Sequence, residues 1–296
     1  MKDNLFTLLQ HLIPQHLLSR FLGYLAASSV SWIKDLLIQL FIKHFKVNMH
    51  EAANPDPTSY SCFNDFFTRP LRSDARSIVL EPTHLACPAD GCISQLGDIH
   101  HDLIFQAKGH MYSLTTLIGG NHELAKPFIN GTFATIYLSP KDYHRVHMPL
   151  DGTLRSMVHV PGRLFSVNQA TSAKVPGLFA CNERVVAIFD TAVGPLCMVL
   201  VGAMVVASIA TVWAGTVCPP GRQITTTNYQ DRSSINLKKG AQMGHFQLGS
   251  TVILCLPPGV NKWPKELYAG AAIQQGQLFG YLNQSKISGN TDKASA

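Results

Sequence analysis

Charge is scarce in this chain. Only 14% of its 296 residues are Asp, Glu, Lys or Arg, against 46% hydrophobic. That balance excludes a disordered polyelectrolyte and leaves ample apolar content for one large domain or two small ones. No Lys/Arg block with interleaved aromatics occurs, which argues against nucleic acid as a partner. The formal net charge of +6 suits an anionic membrane surface instead. No uncharged apolar run reaches membrane-spanning length, because Gln10, His11, Gln15, His16 and Arg20 interrupt the N-terminal one. The same interruptions, with Pro14, argue against a signal peptide. The seven cysteines are an odd, scattered set with no C-x-x-C pair, which speaks for reduced core thiols in a cytosolic compartment. No internal repeat is present.

What is present falls into two textures. At the N-terminus Leu5, Leu8, Leu9, Leu12 and Ile13 follow helical spacing, and Leu17, Leu18, Phe21, Leu22 and Leu25 repeat the stripe after Pro14. A third segment carries Trp32, Ile33, Leu36, Leu37, Leu40, Phe41 and Phe45, with Lys34, Lys43 and Lys46 on or near its other face. The pattern predicts amphipathic helices, and by itself suits a core or a membrane interface equally. From about residue 60, "GTFATIYLS" (131–139), "GTLRSMVHV" (152–160) and "ERVVAIFD" (183–190) predict β-strands. The run "LCMVLVGAMVVASIATVWAG" (196–215) is too long for one strand, and Gly202 predicts a bulge or turn within it. The polar stretch 222–240 is expected to be a mobile loop. The class is therefore α+β: N-terminal amphipathic helices, then a mainly antiparallel sheet or barrel-like catalytic domain. The expected divisions are a helical region at 1–58, a β-rich domain at 59–285 and a disordered tail at 286–296.

Three stretches carry chemistry. In "CPADGCISQLG" (87–97), Asp90-Gly91 after a proline reads on spacing alone as a turn with a solvated carboxylate. In "YLSPKDYHRVHMPLDG" (137–152), Pro140 and Pro149 bracket Lys141, Asp142, His144, Arg145 and His147. His144 and His147 share a face on a helical turn and face opposite ways on a strand. Metal binding needs further ligands, and nothing like H-E-x-x-H is present. The third stretch is Gly249-Ser250, a small, nucleophilic step before the apolar strand Val252 to Leu256. Together these supply a serine nucleophile, a histidine base and an aspartate. Yet "QLGSTV" is not the G-x-S-x-G elbow of an ordinary serine hydrolase.

The combination resembles the phosphatidylserine decarboxylases of the bacterial, membrane-associated type. The likeness rests on "FNDFFTRPLR" (63–72), "PADGCISQLG" (88–97), "QAKGHMYSL" (106–114), "YLSPKDYHRVHMP" (137–149), "VPGRLFSVN" (160–168), "LFACNERV" (178–185), "VWAGTV" (212–217) and "MGHFQLGSTV" (243–252). It covers essentially the whole chain except the C-terminal tail, and the L-G-S-T step with D-Y-H-R-V-H is its most specific part.

The resemblance implies a proenzyme that cuts itself between Gly249 and Ser250. Two associated chains, 1–249 and 250–296, would result, with Ser250 converted into a pyruvoyl cofactor. It implies His147 as the base for Ser250, oriented by Asp90, and His144 as the group handling the carboxylate or proton of the substrate. Phe165, Ser166 and Asn168 are candidate pocket residues, and Lys108, His110 and Tyr112 candidate phosphate contacts. Phe66, Phe67 and Arg69 are expected to pack the helices onto the sheet. The expected substrate is phosphatidylserine in the membrane and the product phosphatidylethanolamine. The expected place is the cytoplasmic face of the cell membrane, held peripherally, with a homodimer of cleaved units. No metal is expected. Two rival readings are a metal-dependent hydrolase using Asp90, Asp142, His144 and His147, and a non-catalytic lipid-binding module.

Overall fold

A computed structural model describes residues 10, 15–203, 208–217, 223–230, 234–247 and 250–283. The first helical stripe, Leu5 to Ile13, and the tail at 286–296 lie outside the described residues. Two longer helices open the described chain, α1 (Gln15–Ala26) and α2 (Ser31–Phe45). Lys46 ends α2 in the left-handed conformation, its N–H returning to the Ile42 carbonyl. A short helix α3 (Phe63–Phe67) packs beneath α2. Phe41, Phe63, Phe66 and Phe67 form edge-on aromatic contacts there, with Ile38, Val47 and Tyr60 completing a small apolar cluster. That cluster runs past residue 58, so the helical layer and the start of the β-rich part share side chains.

The rest is antiparallel sheet. The strands that position the site are β1 (Gly91–Asp98), β2 (Thr132–Leu138), β3 (Arg145–His147), β4 (Gly152–Val160), β5 (Arg184–Thr191), β6 (Gly194–Gly202), β7 (Ile209–Thr211), β8 (Gln242–Phe246) and β9 (Ser250–Leu256). A nine-stranded main sheet runs in the order 225–228, β4, β5, β6, β9, β2, β1, 272–273, with 236–237 also pairing with β4. A four-stranded sheet runs 215–217, β7, β8, β3. The architecture is α+β with open sheets; the barrel-like alternative is not adopted.

β9 is central and every residue of it is buried. Its uninterrupted β-branched and aliphatic run suits a strand covered on both faces, each large side chain contributing about 1.5–3 kcal/mol. Val252, Leu254 and Leu256 point to one face, where Val146, Ile209, Met243 and Phe246 of the small sheet pack. Ile253 and Cys255 point to the other, covered by the segments around Leu114–Leu117, Phe165 and Leu178–Cys181. Cys87, Cys197 and Cys255 are buried, whereas Cys181 is exposed.

Two expectations need refinement. The long apolar run does break at Gly202: the chain leaves the main sheet there and re-enters as β7 in the small one. The polar stretch, however, is not a loop throughout. Thr225–Asn228 and Asn236–Leu237 pair with β4, in register Thr225 to His159 and Asn236 to Thr153. An edge strand needs main-chain partners and β-branched residues more than an apolar face, so its polarity hid it.

Candidate active site

One end of the main sheet gathers the chemistry. Ser250 heads β9 and pairs with Leu138 on one side and Gly202 on the other. Across β2, Cys92 pairs with Tyr137, so the heads of β9 and β1 stand two strand spacings, about 10 Å, apart. Asp90 immediately precedes β1. Gly91 makes that approach feasible: at φ 151° a Cβ there would lie 2.3 Å from the Tyr137 carbonyl oxygen. By strand alternation Ser250 faces the same side as Val252 and Leu254, under the small sheet. Its Oγ is buried and has no hydrogen-bond partner. Gly249, the other half of the expected cut, lies outside the described residues.

The loop after β2 leads into the two histidines. The His147 N–H donates to the Pro88 carbonyl at 2.8 Å, tying β3 to the segment that carries Asp90. Pairing of β3 with β8 puts His147 opposite Gln242, and the Phe246 N–H donates to the His144 carbonyl at 3.0 Å. His144 therefore stands at the Ser250 end of β8 and His147 four residues farther along. The strand is Arg145–His147 with His144 just before it, so the two histidines do not share a helical turn.

Both rings use Nδ1 in the same way. His144 Nδ1–H donates to the Asp142 carbonyl at 2.8 Å and His147 Nδ1–H to the Gly240 carbonyl at 2.9 Å. A carbonyl only accepts, so the lone pair of each neutral ring sits on Nε2. His147 Nε2 accepts from the Tyr143 hydroxyl at 3.0 Å, whereas His144 Nε2 is buried without a partner. The His144 ring lies 4.1 Å from that of Phe67. Burial pushes the His144 pKa down to about 3, the Asp142 carbonyl opposing the shift and the Arg69 charge adding to it. Burial also lowers His147, helped by Arg145 and opposed by the Gly240 carbonyl and the Asp90 charge. Both are neutral at pH 7 and available as bases.

Asp90 is buried, and its carboxylate does not hydrogen-bond to His147. It accepts from Arg76 Nε at 3.0 Å, from Arg76 Nη2 and from the Gln275 N–H at 2.8 Å. Asp90 acts on His147 through its charge, and the Gly240 carbonyl fixes the ring. Gly240 holds a φ of +79°, which a side chain would strain, with Ile78 packed close against it. Asp142 accepts from Ser139 N–H and Oγ–H, each at 2.7 Å, while burial raises its affinity for a proton. Among the described residues no three His, Cys, Asp or Glu side chains converge as a metal cluster.

The other candidates are elsewhere. Phe165 is core on the far face of the main sheet from Ser250, Asn168 Oδ1 caps the Gln169–Ser172 helix, and the Ser166 N–H donates to Gln10 Oε1. Lys108, His110 and Tyr112 sit on a hairpin (Leu103–Ala107 and His110–Ser113) packed on that same far face. Arg76, Tyr143 and Gly240 were not foreseen as part of the site; only Tyr143, inside D-Y-H-R-V-H, carried a signal.

Comparisons with known proteins show the family. A family model described as phosphatidylserine decarboxylase matches residues 63–281, and another, described as PSD, matches residues 5–46. Curated relatives named phosphatidylserine decarboxylase proenzyme match nearly end to end. That of Ectopseudomonas mendocina is 55% identical over 282 residues, 95% of this chain and 99% of the relative. That of Pseudomonas entomophila is 55% identical over 287 residues, 96% and 100%. That of Pseudomonas aeruginosa is 54% identical over 286 residues, 96% and 99%.

Proposed function

This chain belongs to the phosphatidylserine decarboxylase family, and on that premise we propose how its own residues make and run the enzyme. The reaction is decarboxylation of phosphatidylserine to phosphatidylethanolamine and CO2. The chain is a precursor that cuts itself between Gly249 and Ser250. In the cut, Ser250 Oγ loses its proton to an imidazole and attacks the Gly249 carbonyl carbon. The Gly249–Ser250 amide becomes an ester, and the Ser250 nitrogen is released as an amine. Elimination then frees the 1–249 carboxylate, and hydrolysis of the dehydroalanine left at position 250 expels ammonia and leaves a pyruvoyl ketone.

We assign the base role to His147 and the support of its charge to Asp90. The Pro88 contact and the direction of the Asp90 effect on His147 favour that pairing. His144 belongs to the decarboxylation step, where its neutral, unpartnered Nε2 manages a proton in a dry pocket beside Phe67. A pyruvoyl group fits at position 250: the Ser250 side chain is buried, faces apolar neighbours and has no partner to lose on conversion. Such a group, when formed, supplies an electron sink for the departing carboxylate.

The observation that carries the reading is an unpartnered, buried serine hydroxyl at the head of the central strand, with Asp90 at the same end of the main sheet and His144 beside the end of β8 that leads toward it. Intact mass spectrometry under denaturing conditions tests it. Two species, 1–249 and a 250–296 chain that lacks a free amine and reacts with a carbonyl reagent, are expected. A single uncut chain after incubation with phosphatidylserine vesicles would overturn it.

No helix among the described residues is long and apolar enough to cross a membrane. Trp32, Leu36 and Leu40 on α2 and Phe21 and Tyr24 on α1 are exposed apolar side chains, which supports peripheral docking of the helical layer on the bilayer. The cytoplasmic leaflet and a dimer of cleaved units complete the proposal.

A further inference from the structure

Among the described residues Arg69 and Arg184 are buried and Arg76 is largely so, and two of these three have closed donor sets. Arg184 donates to the carbonyls of Thr116, Leu117, Ala180 and Asn182. Arg76 is closed by Asp90, Glu51 and the Ala75 carbonyl. Arg69 is different. Only 3% of it is exposed, yet its Nε and Nη1 have no partner, and its sole hydrogen bond runs from Nη2 to the Lys141 carbonyl at 3.3 Å. The nearby carboxylates are already taken, Asp90 and Glu51 by Arg76 and Asp142 by Ser139. A buried guanidinium stays charged, so an open donor set is costly unless an anion completes it.

The surroundings say which anion. The Phe66 ring lies 5.3 Å from the guanidinium carbon and orients its plane. The turn carrying Arg69 is clamped to the histidine segment by Arg145 Nε–H donating to the Thr68 carbonyl at 2.8 Å and by the Phe67–His144 contact. Pro70 and Lys141 are exposed, so the guanidinium lies just beneath the surface, between the helical layer and His144. Its charge depresses His144, consistent with that proximity.

We propose that Arg69 is the receptor for the phosphodiester of the phosphatidylserine headgroup. The proposal rests on the decarboxylase reading above and extends it. The substrate offers two anions. The carboxylate must lose its charge as CO2 departs, and a guanidinium clamp on it would stabilise the ground state more than the transition state. The phosphodiester keeps its charge throughout and lies toward the acyl chains, on the side of the helical layer. A planar fork with free Nε and Nη1 is the geometry that binds phosphate oxygens in pairs.

A group that binds substrate and transition state alike raises KM when lost and leaves kcat nearly unchanged. Arg69→Gln and Arg69→Lys are therefore expected to be cut like the parent, by intact mass, and to show a KM for phosphatidylserine in mixed micelles raised about tenfold or more, the Lys variant less than the Gln variant. In the unaltered, processed enzyme, sn-glycero-3-phosphoethanolamine, which has the phosphodiester and no carboxylate, should compete with substrate, whereas free serine should not. A fall in kcat at constant KM, or competition by serine alone, would overturn the proposal and point to the carboxylate or to packing. No processing or turnover in the parent enzyme would instead be a failure of the decarboxylase reading, and the two results are read separately.

Discussion

Arg76 grips Asp90 with two nitrogens of one guanidinium, and the same Nη2 reaches Glu51 at 2.7 Å. Two carboxylates thus share one buried cation, and the Asp90 charge stays in place near His147. Desolvation works against the Arg76 charge, but its hydrogen bonds to the Asp90 and Glu51 carboxylates and their charges outweigh it and hold its proton more tightly than usual. Removing one partner of a buried pair leaves the other uncompensated, at about 3–5 kcal/mol. Arg76→Met is expected to lose stability of that order in urea unfolding and to cut slowly. Arg76→Lys should recover part of both. A Met variant as stable as the parent would mean that solvent reaches the pair freely.

The two histidines should separate the two activities. His147→Ala is expected to abolish self-cleavage, because Ser250 loses its base. His144→Ala is expected to be cut and to decarboxylate at least about a hundredfold more slowly, the scale of a lost general acid or base. Mass spectrometry follows the first and CO2 release the second. Normal cutting of His147→Ala would transfer the base role to His144, which stands nearer Ser250 along β8.

Acid stability should report their burial. Burial lowers the proton affinity of both rings in the folded chain, that of His144 down to about 3, while the unfolded chain protonates them near pH 6.5. Between those values the unfolded state binds more protons, so stability falls as the pH falls, by about 1.4 kcal/mol per pH unit for each proton excluded. Above about pH 7 the rings contribute no slope. Urea midpoints measured from pH 8 to pH 5 should be flat and then decline, and His144→Gln should decline less steeply. An unchanged slope in that variant would assign the acid sensitivity to other groups.

Membrane attachment should be separable from folding. Trp32, Leu36 and Leu40 are 71%, 51% and 56% exposed, so charging them costs the free protein little. The triple change Trp32→Glu, Leu36→Glu, Leu40→Glu is expected to weaken co-sedimentation with anionic vesicles more than about tenfold, given the apolar area withdrawn from lipid. Melting temperature and self-cleavage should stay near the parent values. Retained vesicle binding would move the docking face elsewhere.

Most of the elements, and the candidates for the site, could be read from the chain alone. A period near 3.6 marked α2, and runs of β-branched residues marked β2, β4, β5 and β9. Gly202 broke the long run where the chain changes sheets. The motifs around Asp90, His144, His147 and Ser250 were legible through their family resemblance; spacing alone left Asp90 as a solvated turn carboxylate and Gly249-Ser250 as a turn. How they are held follows from the fold. Asp90 is paired by Arg76 across 14 residues and His147 by Gly240 across 93, and no local pattern encodes partners brought together by sheet pairing. The same holds for burial. Phe165 falls in the core on the far face, and Arg69, which reads as helix packing in the sequence, is buried with an open donor set. Hydrogen-bond satisfaction is a property of neighbours in space, and the sequence states only neighbours in the chain.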